Sequence, residues 1–213
     1  MKCDKNTMLL YAVTDRAWTK EQSLYEQVEA ALKGGVTCVQ LREKELSEEE
    51  FLKEAIEISA LCKKYNVPFI INDNVDIAIK CNADGVHVGQ EDMEASKVRE
   101  KLGKDMIIGV SAHTVEEALN AAKNGADYLG AGAMFSTSTK TDVNLLPKET
   151  LRAICEAVDI PVVAIGGINK NNISLLSGTK VDGVALVSAI FASTDIENEC
   201  RLLRKLSKEM INL

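Results

Sequence analysis

The segment 125-GADYLGA-131 shows how the chain is built, because it joins the end of one amphipathic segment to the start of a short apolar run. Close relatives of its first residues recur as 82-NADG-85 and 181-VDGV-184, again directly before apolar runs. Glycine or asparagine after a helical pattern is a common helix stop, and the run that follows has the length of a buried strand. The three copies predict a repeated helix–turn–strand unit.

Apolar, β-branched runs alternate along the chain with longer segments. The eight runs are Met8–Val13, Val36–Leu41, Pro68–Ile71, Gly85–Val88, Met106–Val110, Tyr128–Ala131, Val162–Ile165 and Gly183–Val187. Runs of this kind suit strands that are buried on both faces of a parallel sheet. An open doubly wound sheet is the other arrangement for such units, but eight parallel strands without a long crossover favour closure. We therefore expect an α/β fold, a single (β/α)8 TIM barrel in one domain that covers residues 1–213.

The segments between the runs carry helix signals. Two apolar stripes have the three- and four-residue spacing of a helix: Leu24, Val28, Ala31 and Leu32, and Val115, Ala118, Leu119 and Ala122. Two capping boxes are predicted, Ser47 with Glu50 and Thr114 with Glu117. Asn169 is expected to open a helix after the seventh strand.

Composition and charge exclude several classes of protein. Hydrophobic residues make up 46% and charged residues 27% of the 213, as in a soluble globular domain. A net charge of −7 disfavours nucleic-acid or anionic-membrane binding, since both need a basic surface, so we expect no nucleic-acid and no membrane partner. The sequence leaves open whether the chain forms a homo-oligomer.

The six cysteines are scattered, with no CxxC pair and no histidine at ligand spacing. The first residues make a poor signal peptide, because Asp4 and Asp15 surround a short apolar run and no small-residue cleavage site follows. We expect reduced thiols and a cytoplasmic location.

In a TIM barrel the active site is built from the loops at the carboxyl ends of the strands. After the second strand, Gln40, Arg42 and Lys44 share one side of an extended segment, which suits a phosphorylated ligand. A solvated charge run would have the same composition.

Acidic residues follow the next two strands, Asp73 after the third and Asp92 after the fourth. Mg²⁺ takes one or two carboxylates together with substrate phosphate oxygens, so this pair is a candidate magnesium site. The alternative is that each aspartate caps the helix after it.

Later strand ends offer anion ligands. Ser111 and His113 follow the fifth strand, and a hydroxyl-rich loop that ends at Lys140 follows the sixth. Paired glycines after the seventh strand and Ser188 after the eighth fit the phosphate site that many barrels build there. No strand end presents a cysteine in an electropositive loop or a lysine in an apolar pocket, so thiol and Schiff-base chemistry are not expected. The residues alone therefore indicate a Mg²⁺-assisted transfer between phosphorylated small molecules.

An ordered set of motifs resembles those of the bacterial thiamine-phosphate synthase family. They are Tyr11-Ala12-Val13-Thr14-Asp15, Gln40-Leu41-Arg42-Glu43-Lys44, Asn72-Asp73, His87-Val88-Gly89-Gln90-Glu91-Asp92, Gly109-Val110-Ser111-Ala112-His113-Thr114, Phe135-Ser136-Thr137-Ser138-Thr139-Lys140, Ile165-Gly166-Gly167-Ile168 and Val187-Ser188-Ala189-Ile190. The resemblance implies a transferase of thiamine biosynthesis, which moves a hydroxymethylpyrimidine group from its diphosphate to a thiazole phosphate and releases pyrophosphate. The family loop usually has prolines where this chain has Ala133 and Ser136.

The resemblance also assigns roles to individual residues. The substrates would contact Gln40, Leu41, Arg42, Glu43, Lys44, Asn72, Ser111, Thr137, Ser138, Thr139, Lys140, Gly167, Val187 and Ser188. Arg42, Lys44, Ser111 and Lys140 would act in catalysis, and Asp73 and Asp92 would hold Mg²⁺. Two alternatives remain: a thiazole tautomerase of the same family, with His113 moving the proton, and a non-catalytic phosphate-sensing barrel.

Overall fold

Eight parallel strands pair in chain order, and the last pairs with the first to close a barrel. The computed structural model describes residues 3–19, 22–90, 95–136 and 145–212. The strands are β1 (Leu10–Val13), β2 (Cys38–Leu41), β3 (Phe69–Asn72), β4 (Gly85–Val88), β5 (Ile107–Ala112), β6 (Tyr128–Gly132), β7 (Val162–Ile165) and β8 (Gly183–Leu186). The predicted (β/α)8 barrel is confirmed, and the predicted strand bounds differ from these by two residues or fewer.

Alternation along each strand divides the core in two. Leu10 and Ala12 face the outer helices, while Tyr11 and Val13 face the barrel interior. The same alternation turns Gln40 inward and Leu41 outward. The carboxyl-terminal inward positions are the ones that can reach a ligand.

Helices follow most of the strands and cover the outer face of the barrel. They are α1 (Leu24–Lys33), α2 (Glu48–Lys64), α3 (Val75–Lys80), α4 (Ala95–Leu102), α5 (Val115–Lys123), α6 (Lys148–Ala157), α7 (Ser188–Phe191) and α8 (Ile196–Ile211). The predicted capping box of Ser47 and Glu50 opens α2, and an unpredicted one, Ser23 with Glu26, opens α1. None of the helices in the described ranges is long and apolar enough to cross a membrane.

The aspartate of the repeated motif ties neighbouring strands together at their amino-terminal ends. Asp84 donates its backbone N–H to Phe69 O and accepts the Phe69 N–H with its carboxylate, at 2.8 and 2.9 Å. Asp127 holds Ile108 in the same way, and Asp182 holds Val162. Each aspartate therefore sets the register of a strand pair, a role that the helix-stop interpretation of the motif did not include.

Three local expectations need correction. Thr114 caps α5 through its hydroxyl, but the Glu117 carboxylate binds the His113 N–H instead of completing a box. Leu119 is 49% exposed, because α5 turns Ala118 and Ala121 toward the barrel. Asn169 opens no α-helix: a single 3-10 turn, Ile173–Leu176, lies between β7 and β8.

Candidate active site

A cavity of about 200 Å³ opens at the carboxyl-terminal end of the barrel. Its polar lining comes from β2, β3, β4 and β5, and its glycine-rich wall comes from the segments that follow β6 and β7. The lining includes seven of the predicted site residues: Gln40, Arg42, Asn72, Ser111, Gly167, Val187 and Ser188. Barrel closure thus brings together groups that lie as far apart in sequence as residues 40 and 188.

A continuous series of hydrogen bonds crosses the floor of this cavity. Gln40 Nε2 donates to Tyr11 Oη at 2.8 Å, and Tyr11 Oη lies 2.7 Å from Tyr128 Oη. Tyr128 Oη lies 2.9 Å from His87 Nδ1, and His87 Nε2 lies 3.0 Å from Ser111 Oγ. We refer to these five residues as the floor series.

The roles of three members of the floor series were missed by sequence reasoning. Tyr11, His87 and Tyr128 stand inside apolar runs, where they were counted as strand residues without a chemical role. A usable signal was present: a histidine between Val86 and Val88 on an inward strand position needs polar partners when it is buried.

Burial keeps both phenols of the floor series protonated. Desolvation is the main cause that raises the pKa of Tyr11 and Tyr128 well above 10, and both side chains are almost fully buried. Each hydroxyl therefore carries one hydrogen across the physiological pH range and can act as donor and acceptor.

Two glycines make room for the floor series. A Cβ on Gly109 would lie 2.1 Å from Tyr128 Cζ, and a Cβ on Gly130 would lie 3.2 Å from His87 Cε1. Any other residue at position 109 would collide with the phenol, so the glycine is needed for Tyr128 to point inward.

Arg42 brings a positive charge to the wall of the cavity. Its backbone N–H donates to Thr14 Oγ1 at 3.0 Å, which fixes the chain just beyond β2. The guanidinium lies 3.8 Å from the Asp15 carboxylate, a contact too long for a hydrogen bond. Within the described ranges the guanidinium therefore has no hydrogen-bond acceptor, and its donors can bind an anionic ligand.

Leu41 and Glu43 lie away from the cavity. Leu41 is fully buried between the barrel and the helices. The Glu43 side chain is 3% exposed and binds Arg16 at 2.7 Å. Burial alone would raise the pKa of Glu43, but backbone N–H donors and Arg16 outweigh it and lower that pKa. Glu43 thus holds the loop after β2 in place.

Lys44, Asp73 and Asn72 form a cluster at the rim. Lys44 Nζ lies 2.9 Å from Asp73 Oδ2, which also accepts from Asn72 Nδ2 at 2.5 Å. Lys44 is 55% exposed and is not part of the cavity lining. The structure therefore brings the predicted diphosphate ligand Lys44 and the predicted metal ligand Asp73 into direct contact.

The opposite wall is built from backbone. Gly167 has a φ of 64°, and a Cβ there would lie 2.4 Å from the Ser136 carbonyl oxygen. Val187 and Ser188 follow β8 and complete this wall, where α7 begins. Close packing of this kind leaves main-chain N–H groups near the cavity, as a phosphate site requires.

Five predicted residues lie outside the described ranges. They are Asp92, Thr137, Ser138, Thr139 and Lys140. His113 is described and lines the cavity, but its Nδ1 lies 3.2 Å from the Glu117 carboxylate at the start of α5. Within the described residues, no group of three or more His, Cys, Asp or Glu side chains is arranged to hold a metal ion.

Comparison with known proteins gives consistent matches over nearly the whole chain. Residues 10–190 match the family described as "Thiamine monophosphate synthase". The thiamine-phosphate synthase of Clostridium acetobutylicum is 50% identical over 200 residues, which cover 94% of this chain and 95% of that protein. The thiamine-phosphate synthase of Ruminiclostridium cellulolyticum is 52% identical over 194 residues, which cover 91% and 92%. A solved structure of thiamine phosphate pyrophosphorylase from Pyrococcus furiosus superimposes with a TM-score of 0.89 at 41% identity, over 97% of this chain and 98% of that one.

Proposed function

The chain belongs to the thiamine monophosphate synthase family, and we propose that the cavity described above performs the family's transfer reaction. The chain is an enzyme of thiamine biosynthesis, a transferase whose activity is the synthesis of thiamine phosphate. It joins a hydroxymethylpyrimidine group, supplied as the diphosphate, to a thiazole phosphate and releases pyrophosphate. One observation carries the assignment of this reaction to the cavity: Gln40, Arg42 and Ser111 face a glycine-rich wall across a single opening.

Two parts of the cavity suit the two substrates. Gln40, Asn72 and Ser111 present polar groups to the pyrimidine side, with Arg42 beside them for the diphosphate. The backbone around Gly167 and Ser188 suits the phosphate of the thiazole. Leu41 and Glu43 act indirectly, since their side chains support the barrel wall and the loop after β2.

The reaction needs charge stabilisation on the leaving group. The bond between the pyrimidine methylene and the diphosphate oxygen breaks, and its electron pair leaves with pyrophosphate. The thiazole nitrogen then donates its lone pair to the methylene carbon, so one C–N bond replaces one C–O bond. Arg42 and Lys44, together with Lys140, would stabilise the negative charge that develops on pyrophosphate. No nucleophile from the protein is required.

Magnesium fits the carboxylate of Asp73 at the rim. Asp73 presents a hard carboxylate oxygen beside Lys44, and Asp92 would add a second carboxylate. When bound, Mg²⁺ would neutralise part of the diphosphate charge. In the structure, Lys44 is the counter-ion of Asp73, so this lysine would exchange the carboxylate for a phosphate oxygen when substrate and metal are present.

The direct test is to incubate the purified chain with pyrimidine diphosphate and thiazole phosphate, with Mg²⁺ or with EDTA. We expect thiamine phosphate and pyrophosphate in equal amounts with Mg²⁺, and neither with EDTA. Equal rates in both conditions would remove magnesium from the proposal. Binding of the thiazole phosphate without product would instead favour the tautomerase or the phosphate sensor.

The metal ligand is tested with Asp73→Asn against the matched control Asp76→Asn. Asp76 lies on α3 and pairs with Lys101 at the surface. We expect the Asp73 variant to need at least about tenfold more Mg²⁺ for half-maximal rate, since it loses a carboxylate ligand. An unchanged Mg²⁺ requirement would remove Asp73 from the metal site.

We also propose the cytoplasm as the compartment of this enzyme. All six cysteines are free thiols, and Cys38, Cys62, Cys81 and Cys200 are buried. A reducing compartment keeps such thiols unpaired.

A further inference from the structure

The loop that follows β2 is held at two successive residues. The backbone N–H of Arg42 donates to Thr14 Oγ1. The next residue, Glu43, binds its own loop, because its Oε1 accepts from the N–H groups of Lys44 and Glu45, both at 2.8 Å. Among the residues that the structure describes, no other group accepts from these two N–H groups. The path of the backbone at Lys44 therefore depends on where the Glu43 carboxylate is held.

Arg16 holds the second oxygen of that carboxylate. Arg16 Nε lies 2.8 Å and Nη2 lies 2.7 Å from Glu43 Oε2. The Glu43 side chain is 3% exposed, so water is not at hand to replace the guanidinium as its partner. Arg16 opens the 3-10 turn Arg16–Trp18 after β1, and the Asp15 side chain caps this turn by accepting the Ala17 N–H at 2.9 Å. The backbone that carries the guanidinium is thus fixed as well.

Glu54 on α2 holds the other side of the guanidinium. Arg16 Nη2 donates to Glu54 Oε2 at 2.7 Å, and the Glu54 side chain is 19% exposed. Neither Arg16 nor Glu54 belongs to the cavity lining. A series of contacts therefore runs from α2 through Arg16 and Glu43 to the backbone of Lys44.

We propose that Arg16 and Glu54 are positioning residues, which act through Glu43 to hold Lys44 in place for the diphosphate. The identity of the ligand rests on the proposed function, whereas the contacts themselves do not. If the backbone at Lys44 were not fixed, the diphosphate would have to order the loop on binding, and this ordering would reduce affinity. A guanidinium suits the task, because its planar set of donors binds two carboxylates in fixed directions.

An effect of charge alone would have the opposite sign. With both carboxylates ionised, the group of Arg16, Glu43 and Glu54 has more negative than positive charge. Removing the Glu54 carboxylate would reduce the repulsion of a diphosphate, so charge alone would raise kcat/KM. Loss of positioning would lower kcat/KM. The direction of the change therefore separates the two effects.

Glu54→Ala removes an acceptor of Arg16, and we expect kcat/KM for the pyrimidine diphosphate to fall about fivefold while KM for the thiazole phosphate stays unchanged. Glu54→Gln also removes the charge but keeps an oxygen that accepts from Arg16. It should stay within about twofold of the unmodified chain. A rise or no change of kcat/KM in Glu54→Ala would overturn the proposal. An equal increase of both KM values would show general damage to the barrel and would overturn it too.

A second background tests the link to Lys44. In Lys44→Ala, the further substitution Glu54→Ala should change kcat/KM by less than about twofold, because its effect passes through the missing side chain. A fivefold fall in both backgrounds would contradict the proposal. The matched control is Glu29→Ala, since the Glu29 side chain is 25% exposed and accepts from three side chains on the outer surface: Lys33, Lys64 and Tyr65. It should leave kcat/KM unchanged.

Hydrogen exchange tests the positioning without substrate. In the unmodified chain we expect the N–H groups of Lys44 and Glu45 to exchange at least about tenfold more slowly than in an unfolded chain. In Glu54→Ala both should exchange faster, whereas the Ala118 N–H, which donates to Thr114 O in α5, should not. Exchange of both groups at the unfolded rate in the unmodified chain would overturn the proposal, even if every variant failed to fold.

The two proposals fail separately. An unmodified chain that makes no thiamine phosphate refutes the proposed function, and hydrogen exchange then still decides whether the loop is held. Product formation by a chain whose Lys44 and Glu45 N–H groups are unprotected refutes the positioning role alone.

Discussion

Two arginines near the end of β1 and β2 show how surroundings assign different roles to the same residue type. The Arg16 guanidinium is held by Glu43 and Glu54, each at 2.7 Å, so its charge is already balanced. Among the residues that the structure describes, Arg42 has one acidic neighbour, Asp15, at 3.8 Å. An incoming diphosphate therefore competes with little for Arg42 and with two carboxylates for Arg16.

We expect Arg42→Ala to lower kcat/KM for the pyrimidine diphosphate about 10- to 100-fold, because a hydrogen bond between charged groups is lost. Arg42→Lys should restore part of that loss, since a lysine supplies charge without the paired donors of a guanidinium. Steady-state kinetics would measure kcat/KM for both variants, and thermal melts would measure their stability. Arg152→Ala, at an exposed pair with Glu156 on α6, is the control and should change neither quantity. Full activity in Arg42→Ala would exclude it from the diphosphate site.

The packing around Gly109 in β5 and Gly130 in β6 predicts that alanine destabilises the protein more at the first position than at the second. A Cβ on Gly109 meets the Tyr128 ring at 2.1 Å, deep in the barrel, while one on Gly130 meets His87 at 3.2 Å. We expect Gly109→Ala to lower the free energy of unfolding by about 3 kcal/mol or more and Gly130→Ala by about 1 kcal/mol, with urea unfolding as the measurement. Gly130→Ala should still lower activity, since His87 must shift. Equal stability losses would contradict the packing argument.

The capping box of Ser47 and Glu50 at the start of α2 predicts that the contribution of this cap to stability depends on pH. Hydrogen bonds from the Ser47 side chain and backbone lower the pKa of Glu50 below 4.5. A lowered folded pKa gives stability that is present above 4.5 and is lost as the pH falls through the folded value. Ser47→Ala removes the N-cap hydrogen bond to the Glu50 N–H and should cost about 1 kcal/mol near neutral pH. Because the Glu50 carboxylate also bonds to Ser47, we expect this cost to shrink in acid.

Urea unfolding from pH 7 to pH 3 would measure this trend. Thr114→Ala is the comparison, because Thr114 caps α5 without a reciprocal bond from Glu117. Its cost should change less with pH. A constant cost for Ser47→Ala across the range would mean that the carboxylate contributes nothing to the cap.

At the level of strands and helices, sequence periodicity located the elements but not their orientations. Alternation puts Gln40 inside and Leu41 outside, so the side chain of Leu41, to which the resemblance assigned a substrate contact, packs between the barrel and the helices and does not line the cavity. The predicted apolar stripe of α5 was wrong at Leu119, which is exposed, because small alanines pack closer to the barrel than Leu119 can. The need of His87 for polar partners could be predicted, but the partners themselves could not, since the floor series joins residues from five strands whose neighbours are fixed by closure. Single-sequence patterns carry local information, and this contact set is long-range.

Folding of the chain makes its cysteine thiols less reactive. Burial is the main cause that raises the pKa of Cys3, Cys62, Cys155 and Cys200 to about 12, and it raises that of Cys38 well above 9. We expect the native protein to react slowly with a disulfide reagent at pH 8 and six thiols to react in guanidinium. Activity should survive the native treatment, because the proposed mechanism uses no cysteine. A thiol that reacts rapidly in the native state and abolishes activity would contradict both statements.

Residues at the amino-terminal end of the barrel contribute to stability, whereas residues at the carboxyl-terminal end contribute to the chemistry. Asp84 lies at the amino-terminal end, where its carboxylate accepts the Phe69 N–H and its carbonyl accepts the Ile107 N–H. Removing the carboxylate leaves a part-buried N–H without its partner, so Asp84→Ala should cost about 1 to 3 kcal/mol of unfolding free energy. Asp84→Asn keeps an acceptor and should cost less. Both variants should keep kcat/KM at the value of the unmodified chain, because residues at this end hold strands and do not reach the cavity.

Urea unfolding and steady-state kinetics should both be measured for Asp84→Ala and for Arg42→Ala, because we expect each variant to change a different one of the two quantities. The first should lose stability at constant kcat/KM, and the second should lose kcat/KM at constant stability. If Asp84→Ala lowered kcat/KM without lowering stability, the strand register set at the amino-terminal end would have to be transmitted through β3 and β4 to Asn72 and His87, which pair at the other end of those strands. The division between the ends would then be wrong.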